Sequence, residues 1–381
     1  MPVQTSETAP SVDSILGLVR DRANETERTR RIPDDVVAAL RRTGINRLVL
    51  PSVLGGLQAP VLDLMDVTER IAAVDGSTAW CAVIGSGSNV FAGYMSEVGA
   101  SEVFADPDQG SATMFAPAGR VVETGGRHVL SGRWPFTSNC LHSAWVGLGA
   151  LIERHDGVDP VPRVVFVRAS DLTIEVTWDS VGLRGTGSHH VTAQDVRVDL
   201  DRSSTFSTPA WPDGVLWRLP VHTMLLPSLV SVPLGIARGA IDEIARQARE
   251  GRTARRGQLA DDPISMAELA TADARLRGAR AALREAVGEA HHSAARNEAV
   301  PRTLQARIYV ACLHASDVSV ETTSAAHQLG GSAAAYVGSP LLRALGDVEA
   351  SRQHLMFSHR HLSALGTALV GLDVVYPPFF A

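Results

Sequence analysis

Residues 132–145, GRWPFTSNCLHSAW, hold the densest set of groups able to do chemistry in this chain. Trp134 and Phe136 offer flat apolar surface. Thr137, Ser138 and Asn139 follow with two hydroxyls and an amide, and His142 stands close behind. A Trp-Pro-Phe turn of this kind sets short hydrogen-bonding groups against an aromatic wall. A planar heterocycle such as a flavin, with apolar faces and a hydrogen-bonding edge, asks for that combination. His354, in GDVEASRQH, lies far down the chain. An imidazole titrates near neutral pH, so it can both take and give a proton. Each residue also has an ordinary reading. Aromatics in a strand are commonly core, a serine commonly caps a turn, and a histidine on a helix is commonly satisfied by a neighbour. His142 reads equally as a pocket residue or as the end of the loop.

The elements that must position these groups differ in texture along 381 residues. Residues 1–10, rich in Thr, Ser and Pro, read as a flexible tail. Residues 11–109 repeat apolar side chains at helical spacing, as in Val36, Val37 and Leu40, with Pro33, Asp34 and Asp35 opening a helix. STAWCAVIG, from Ser77, reads as a buried helix. Residues 110–215 change to short β-branched runs broken by Gly and Pro, a central antiparallel β domain. Residues 216–381 return to helical stripes (Leu234, Ile241 and Ile244; Met266, Leu269 and Leu276; Leu304, Ile308 and Leu313; Leu341, Leu342 and Leu345 running on to Leu362, Leu365 and Leu369), a four-helix bundle. The fold class is therefore α+β, mainly α.

Composition bounds the partners. The chain is 45% hydrophobic and 20% charged with net charge −6, which suits a folded core and argues against nucleic acid or an anionic membrane. Every basic residue other than histidine is arginine, so no lysine Schiff base is available. Three scattered cysteines form no CxxC pair, which points away from a zinc site and toward a cytoplasmic setting. No signal-like opening and no apolar run of membrane-spanning length is read. His359 and His361 lack a third ligand at fixed spacing and read as surface residues rather than a metal pair.

In order and motif the chain resembles the acyl-CoA dehydrogenase superfamily over nearly all its length beyond the tail. SGRWPFTSN resembles the family's flavin loop. WDSVGLRGTGSHHV, from Trp178, resembles the strand-turn segment that follows it. HQLGGSAAAY, from His327, and SPLLRALGDVEASRQH, from Ser339, resemble a subunit-contact segment and the last catalytic helix. The dehydrogenases carry a glutamate base in a Tyr-Glu-Gly-Thr stretch after an Arg-Asp pair. Here Gly346 precedes Asp347, Val-Glu-Ala-Ser-Arg-Gln-His follows, and His354 falls near the position of that base. This pattern resembles the flavin-dependent monooxygenase branch: oxygenase components of two-component aromatic hydroxylases, dibenzothiophene-type monooxygenases and amino-sugar N-oxygenases.

The resemblance implies reduced FMN or FAD supplied by a separate flavin reductase, O2, and a medium-sized aromatic or polycyclic substrate that is hydroxylated or oxidised at a heteroatom. It implies His354 and Ser138 as catalytic residues. Trp134, Phe136, Thr137 and Ser138 are expected at the flavin, with Trp134 ahead of Phe136 and Ser138 ahead of Thr137 and Asn139. An arginine of GRTARRGQLADDP (Arg252, Arg255 or Arg256) is expected at the flavin phosphate, with Arg252 the site candidate. Gln328, Gly330 and Gly331 are expected to reach a neighbouring subunit's flavin in a homotetramer or homodimer, although the glycines equally suit close helix packing. Arg184, Gly185 and Thr186 read as a tight turn or as a cofactor segment, and His189 and His190 as the next strand. Relatives commonly carry glycine where Asn139 stands. In GSGSNV, Ser86, Ser88 and Asn89 replace a pocket histidine of some relatives and imply a smaller, more polar wall, with Asn89 and His142 as substrate-pocket candidates. The competing readings are a dehydrogenase or oxidase acting on a thioester through Glu349, a flavin-less ligand-binding relative, and a cofactor-independent enzyme.

Overall fold

A computed structural model describes residues 10–153, 160–205, 209–254 and 257–374. Most of the expected tail lies outside the described residues, as do Arg255 and Arg256. The first helices are α1 (Asp13–Thr29), α2 (Asp34–Thr43), α3 (Val61–Ala72), α4 (Gly76–Gly87) and α5 (Glu97–Val103). Pro33 precedes α2, and Asp34 and Asp35 fill its first turn, favourable beside the positive end of the helix dipole. Asp75 caps α4 by accepting the Thr78 amide at 2.7 Å. Nearly every residue of α4 is buried, so this helix runs through the core rather than over it.

Strands β1 (Ala112–Thr124), β2 (Arg127–Thr137), β3 (Trp145–Ile152), β4 (Val161–Arg168), β5 (Thr173–Glu175), β6 (His189–Val198) and β7 (Ser203–Ser204) follow. They form one sheet in the order β5-β6-β2-β1-β3-β4-β7. The expectation of an antiparallel domain needs correction, because β1 and β3 run parallel. β1 and β2 form a hairpin, so β2 ends beside the start of β1. The chain then crosses to the far side of β1 and begins β3 there, Val146 opposite Ala112, so both strands leave in the same direction. The ladder slips at three places, between Met114 and Gly119 in β1 and between Leu130 and Gly132 and between Trp134 and Thr137 in β2. The Trp-Pro-Phe stretch is thus the bulged end of a strand rather than a turn. Such bulges re-aim side chains and are common beside functional sites.

The last helices are α6 (Val221–Arg249), α7 (Pro263–Ala295), α8 (Arg302–Leu329), α9 (Pro340–Arg352) and α10 (Leu362–Leu369). One apolar core joins the first helices to this bundle, and the sheet has a second. By length and composition α6 could cross a membrane, contrary to the expectation that no apolar run reaches that length. Of its most apolar window, 83% is buried inside the protein, as in a core helix. The expected fourth bundle helix is broken into α9 and α10. No Gly or Pro marks the break. His354 leaves α9 in an extended conformation, and its Nδ1 accepts the Met356 amide at 3.3 Å, capping the next short turn with a side chain.

Candidate functional site

A cleft forms where all three parts of the chain meet, with about 860 Å³ of empty space, part of it open to solvent. Val83, Ile84 and Gly87 face it from α4, one helical face at the expected spacing. Leu225, Ser228 and Leu229 do the same from α6. The slipped stretch of β1 contributes Thr113, Met114, Phe115 and Ala116, and the bulged end of β2 contributes Phe136 and Ser138. His354, Leu355 and Met356 close it from the break after α9. Two of the three ladder irregularities therefore lie where the sheet meets the helices at the cleft.

His354 is the one ionisable side chain among the described lining residues. Burial lowers its pKa to about 4, so it is neutral at pH 7. With Nδ1 accepting from Met356, the neutral ring carries its proton on Nε2. Its ring meets Trp80 edge-on at 5.6 Å. The Trp80 Nε1–H donates to Ser138 Oγ at 3.1 Å, so one indole braces both expected catalytic residues. Ser138 Oγ also lies 2.7 Å from Ser188 Oγ, which lies 2.7 Å from Thr186 Oγ1. Arg184–Thr186 form a 3-10 turn that ends this line of hydroxyls.

The structure corrects several expectations. Trp134 is fully buried in the sheet core, over Gly119 and Gly132, where a Cβ would strike the indole. Its Nε1–H donates to the Gly149 carbonyl at 2.7 Å, so the side chain is not offered to a cofactor. Phe136 takes that place. It has φ +62, is 60% exposed at the cleft, and rests edge-on against Trp178 and His190. Thr137 is buried, with Oγ1 donating to the Trp134 carbonyl at 3.3 Å. Asn139 adopts φ +65, a left-handed conformation that Asn tolerates better than most residues and Gly best, which accounts for the glycine of relatives.

Asn89 does not line the cleft. Its Nδ2 donates to the Asn46 carbonyl and its Oδ1 accepts from Ser111, tying the first helices to the sheet. Ser86 Oγ donates to the Ile45 carbonyl; only Ser88 of the three faces the cleft. His142 lies on the opposite face of α4, beside a separate cavity of about 380 Å³ with Cys81, Ala82 and Gly85. Its Nε2 is buried without a partner, and burial next to Arg31 lowers its pKa to about 4.

Arg252 donates to the Gly330 and Leu329 carbonyls and to Gln247. It therefore gathers with Gly330 and Gly331, and Gln328 is exposed nearby in sequence. None of these four lines the cleft of its own chain. His359 pairs with Asp317 at 3.1 Å, whereas His361 accepts from Arg360 at 3.0 Å, so they serve different partners. Glu349 does not line the cleft, and no carboxylate does among the described residues.

Three residues were not singled out for the site in the sequence. In the sequence Trp80 reads only as part of a buried helix, and Ser188 carries no signal of its own. Thr113 lines the cleft with a buried hydroxyl that has no hydrogen-bond partner. Buried polar groups rarely go unpaired, so a hydroxyl left this way beside a cleft fits a ligand that completes it. Apolar walls with Thr113 and Ser138 at one side suit the faces and polar edge of a flavin ring.

Comparison with known proteins agrees. The acyl-CoA dehydrogenase N-terminal domain model matches residues 17–104, and the C-terminal domain model matches residues 228–359. An indole-3-acetate monooxygenase of Pseudomonas putida is 33% identical, over 93% of this chain and 91% of its own. The flavin-dependent monooxygenase oxygenase subunit HsaA of Rhodococcus jostii is 32% identical, over 95% of this chain and 98% of its own. The solved structure of XiaF from Streptomyces sp., in complex with FADH2 and glycerol, superposes with a TM-score of 0.89 at 27% identity, covering 96% of this chain and 95% of that one.

Proposed function

The chain belongs to the acyl-CoA dehydrogenase family as the oxygenase component of a two-component flavin-dependent aromatic monooxygenase, and we propose on that premise that it hydroxylates an uncharged aromatic or polycyclic substrate bearing a phenolic oxygen. The carrying observation is the cleft itself, in which a neutral imidazole is the sole ionisable group among the described lining residues. A dehydrogenase acting on a thioester needs a carboxylate there, and the described lining has none. A carboxylate-bearing substrate would find no arginine among the described lining residues, and an unpaired charge is costly to bury. Val83, Ile84, Phe91, Leu225, Leu229 and Met356 suit an apolar ring.

Bound reduced FMN or FAD, delivered by a separate reductase, supplies the electrons that let dioxygen place one oxygen atom in the substrate and release the other as water. Ser138 and Thr113 would hold the polar edge of the ring, and Phe136 would offer it apolar contact. His354 is the acid/base. It enters neutral, donates through Nε2–H to the substrate oxygen, and so stabilises negative charge there. The apolar walls exclude water. Arg252, Gln328, Gly330 and Gly331 act across subunits in a homotetramer or homodimer, and three free, buried cysteines accord with a cytoplasmic setting.

The test is turnover with reductase-generated reduced flavin and isotopically labelled dioxygen, on neutral phenols and matched aryl carboxylates. Label should enter the phenols. Turnover confined to the carboxylates, or dehydrogenation of a thioester instead, overturns the proposal.

A further inference from the structure

The hydroxyls behind Ser138 form a line whose direction is fixed from its far end. Thr186 Oγ1 lies 2.7 Å from the Leu183 carbonyl oxygen, which carries no hydrogen, so the Thr186 proton sits between them. Two oxygens that close without a proton would repel. Thr186 then has no proton for Ser188, 2.7 Å away, and Ser188 must donate to it. With the Ser188 proton so placed, the 2.7 Å contact to Ser138 takes its proton from Ser138. Trp80 Nε1, a donor only, brings a further hydrogen to Ser138 Oγ at 3.1 Å. What Ser138 still offers the cleft is a lone pair.

The far end is itself held. Leu183 has φ +49; its amide donates to the buried Asp347 carboxyl at 2.6 Å, and its carbonyl also accepts Trp178 Nε1–H at 2.9 Å. The line cannot turn round without leaving close oxygen pairs unbridged.

Reduced flavin carries a hydrogen on N5, whereas oxidised flavin presents a lone pair there. We propose that Thr186 and Ser188 are positioning residues that fix Ser138 as an acceptor, so that the site selects reduced flavin and releases oxidised flavin. The inference rests on Ser138 being the flavin-edge partner proposed above. A buried acceptor facing another acceptor leaves a hydrogen bond unmade, which corresponds to a preference on the order of tenfold.

The experiment is anaerobic titration of the full chain with reduced flavin and aerobic titration with oxidised flavin, giving the ratio of the two Kd values. In Ser188→Ala the Ser138 proton loses its acceptor and turns to the cleft. In Thr186→Val the Ser188 proton swings to Ser138, with the same result. Both should bring the ratio down about tenfold, mainly by tightening oxidised flavin. The same change should appear as about 30 mV in the two-electron midpoint potential of bound flavin. Thr186→Ser keeps the line and should keep the wild-type ratio. If one variant fails to fold by near-ultraviolet circular dichroism, the other decides. Folded variants with ratios within twofold of wild type overturn the proposal. Wild type that binds neither form overturns the flavin reading itself, a separate outcome.

Discussion

Two histidines sit against opposite faces of α4, and burial lowers both to about 4, yet their surroundings differ in kind. His142 borders a small cavity beside Arg41, with its Nε2 buried and unpaired and its backbone carbonyl accepting from Arg41 and Gln109. His354 borders the larger cleft, with its tautomer set by Met356 and its ring against Trp80. A shifted pKa by itself therefore does not distinguish catalysis from packing. What separates the two is room for a substrate and a ring whose proton position is fixed.

The largest expected break in this comparison is His354→Ala. Its kcat should fall on the order of 10²- to 10⁴-fold, with reduced flavin still bound and dioxygen consumed without product. A fall of less than tenfold would remove the imidazole from the chemistry. Next, Ser138→Ala should weaken reduced flavin about tenfold in anaerobic titration. Trp134→Phe loses the bond to Gly149 in the sheet core and should cost about 1–2 kcal/mol in urea unfolding while leaving flavin affinity within twofold. A large loss of affinity would restore Trp134 to the cofactor wall.

Acid should act on both faces of α4 alike. His142, His222, His291 and His354 all have folded pKa values lowered to about 4 by burial. Each contributes stability that is fully present above its unfolded value near 6.5 and is lost as pH falls from there through about 4. In urea unfolding against pH these four histidines should take up as many as four protons on unfolding in that window, opposed by release from the buried carboxyls of Asp75 and Asp347, which burial raises. His142→Leu should remove one proton from that uptake and leave product formation within twofold, the smallest effect of the set. A loss of turnover in His142→Leu would erase the contrast between the faces.

Much of this was legible in the sequence because it is written locally. Pro33 with two aspartates, the mostly apolar α4 and the β-branched runs follow from spacing and residue type. The parallel pairing of β1 with β3 was not legible, since it depends on which side of the hairpin the chain crosses. Trp134 and Phe136 were ranked the wrong way round because a bulge with positive φ moves the phenyl to the cleft and leaves the indole inside. Ser138 and His354, expected from residue type and family position, both line the cleft. Trp80, Thr113 and Ser188 act through contacts between distant segments, which a linear reading does not display.

Gly182 and Gly346 lie so close that a Cβ on Gly182 would fall on the Gly346 carbonyl, and one on Gly346 would crowd the Val181 carbonyl. The turn that anchors the hydroxyl line is thus clamped, main chain to main chain, on the helix that ends just before His354. This clamp, with the Trp80 indole that touches both side chains, ties the serine to the imidazole. Leu225, Leu229 and Phe91 lie outside this clamp and can be resized for a different ring, whereas a single methyl at Gly346 would push the turn away from the helix and change the distance between serine and imidazole.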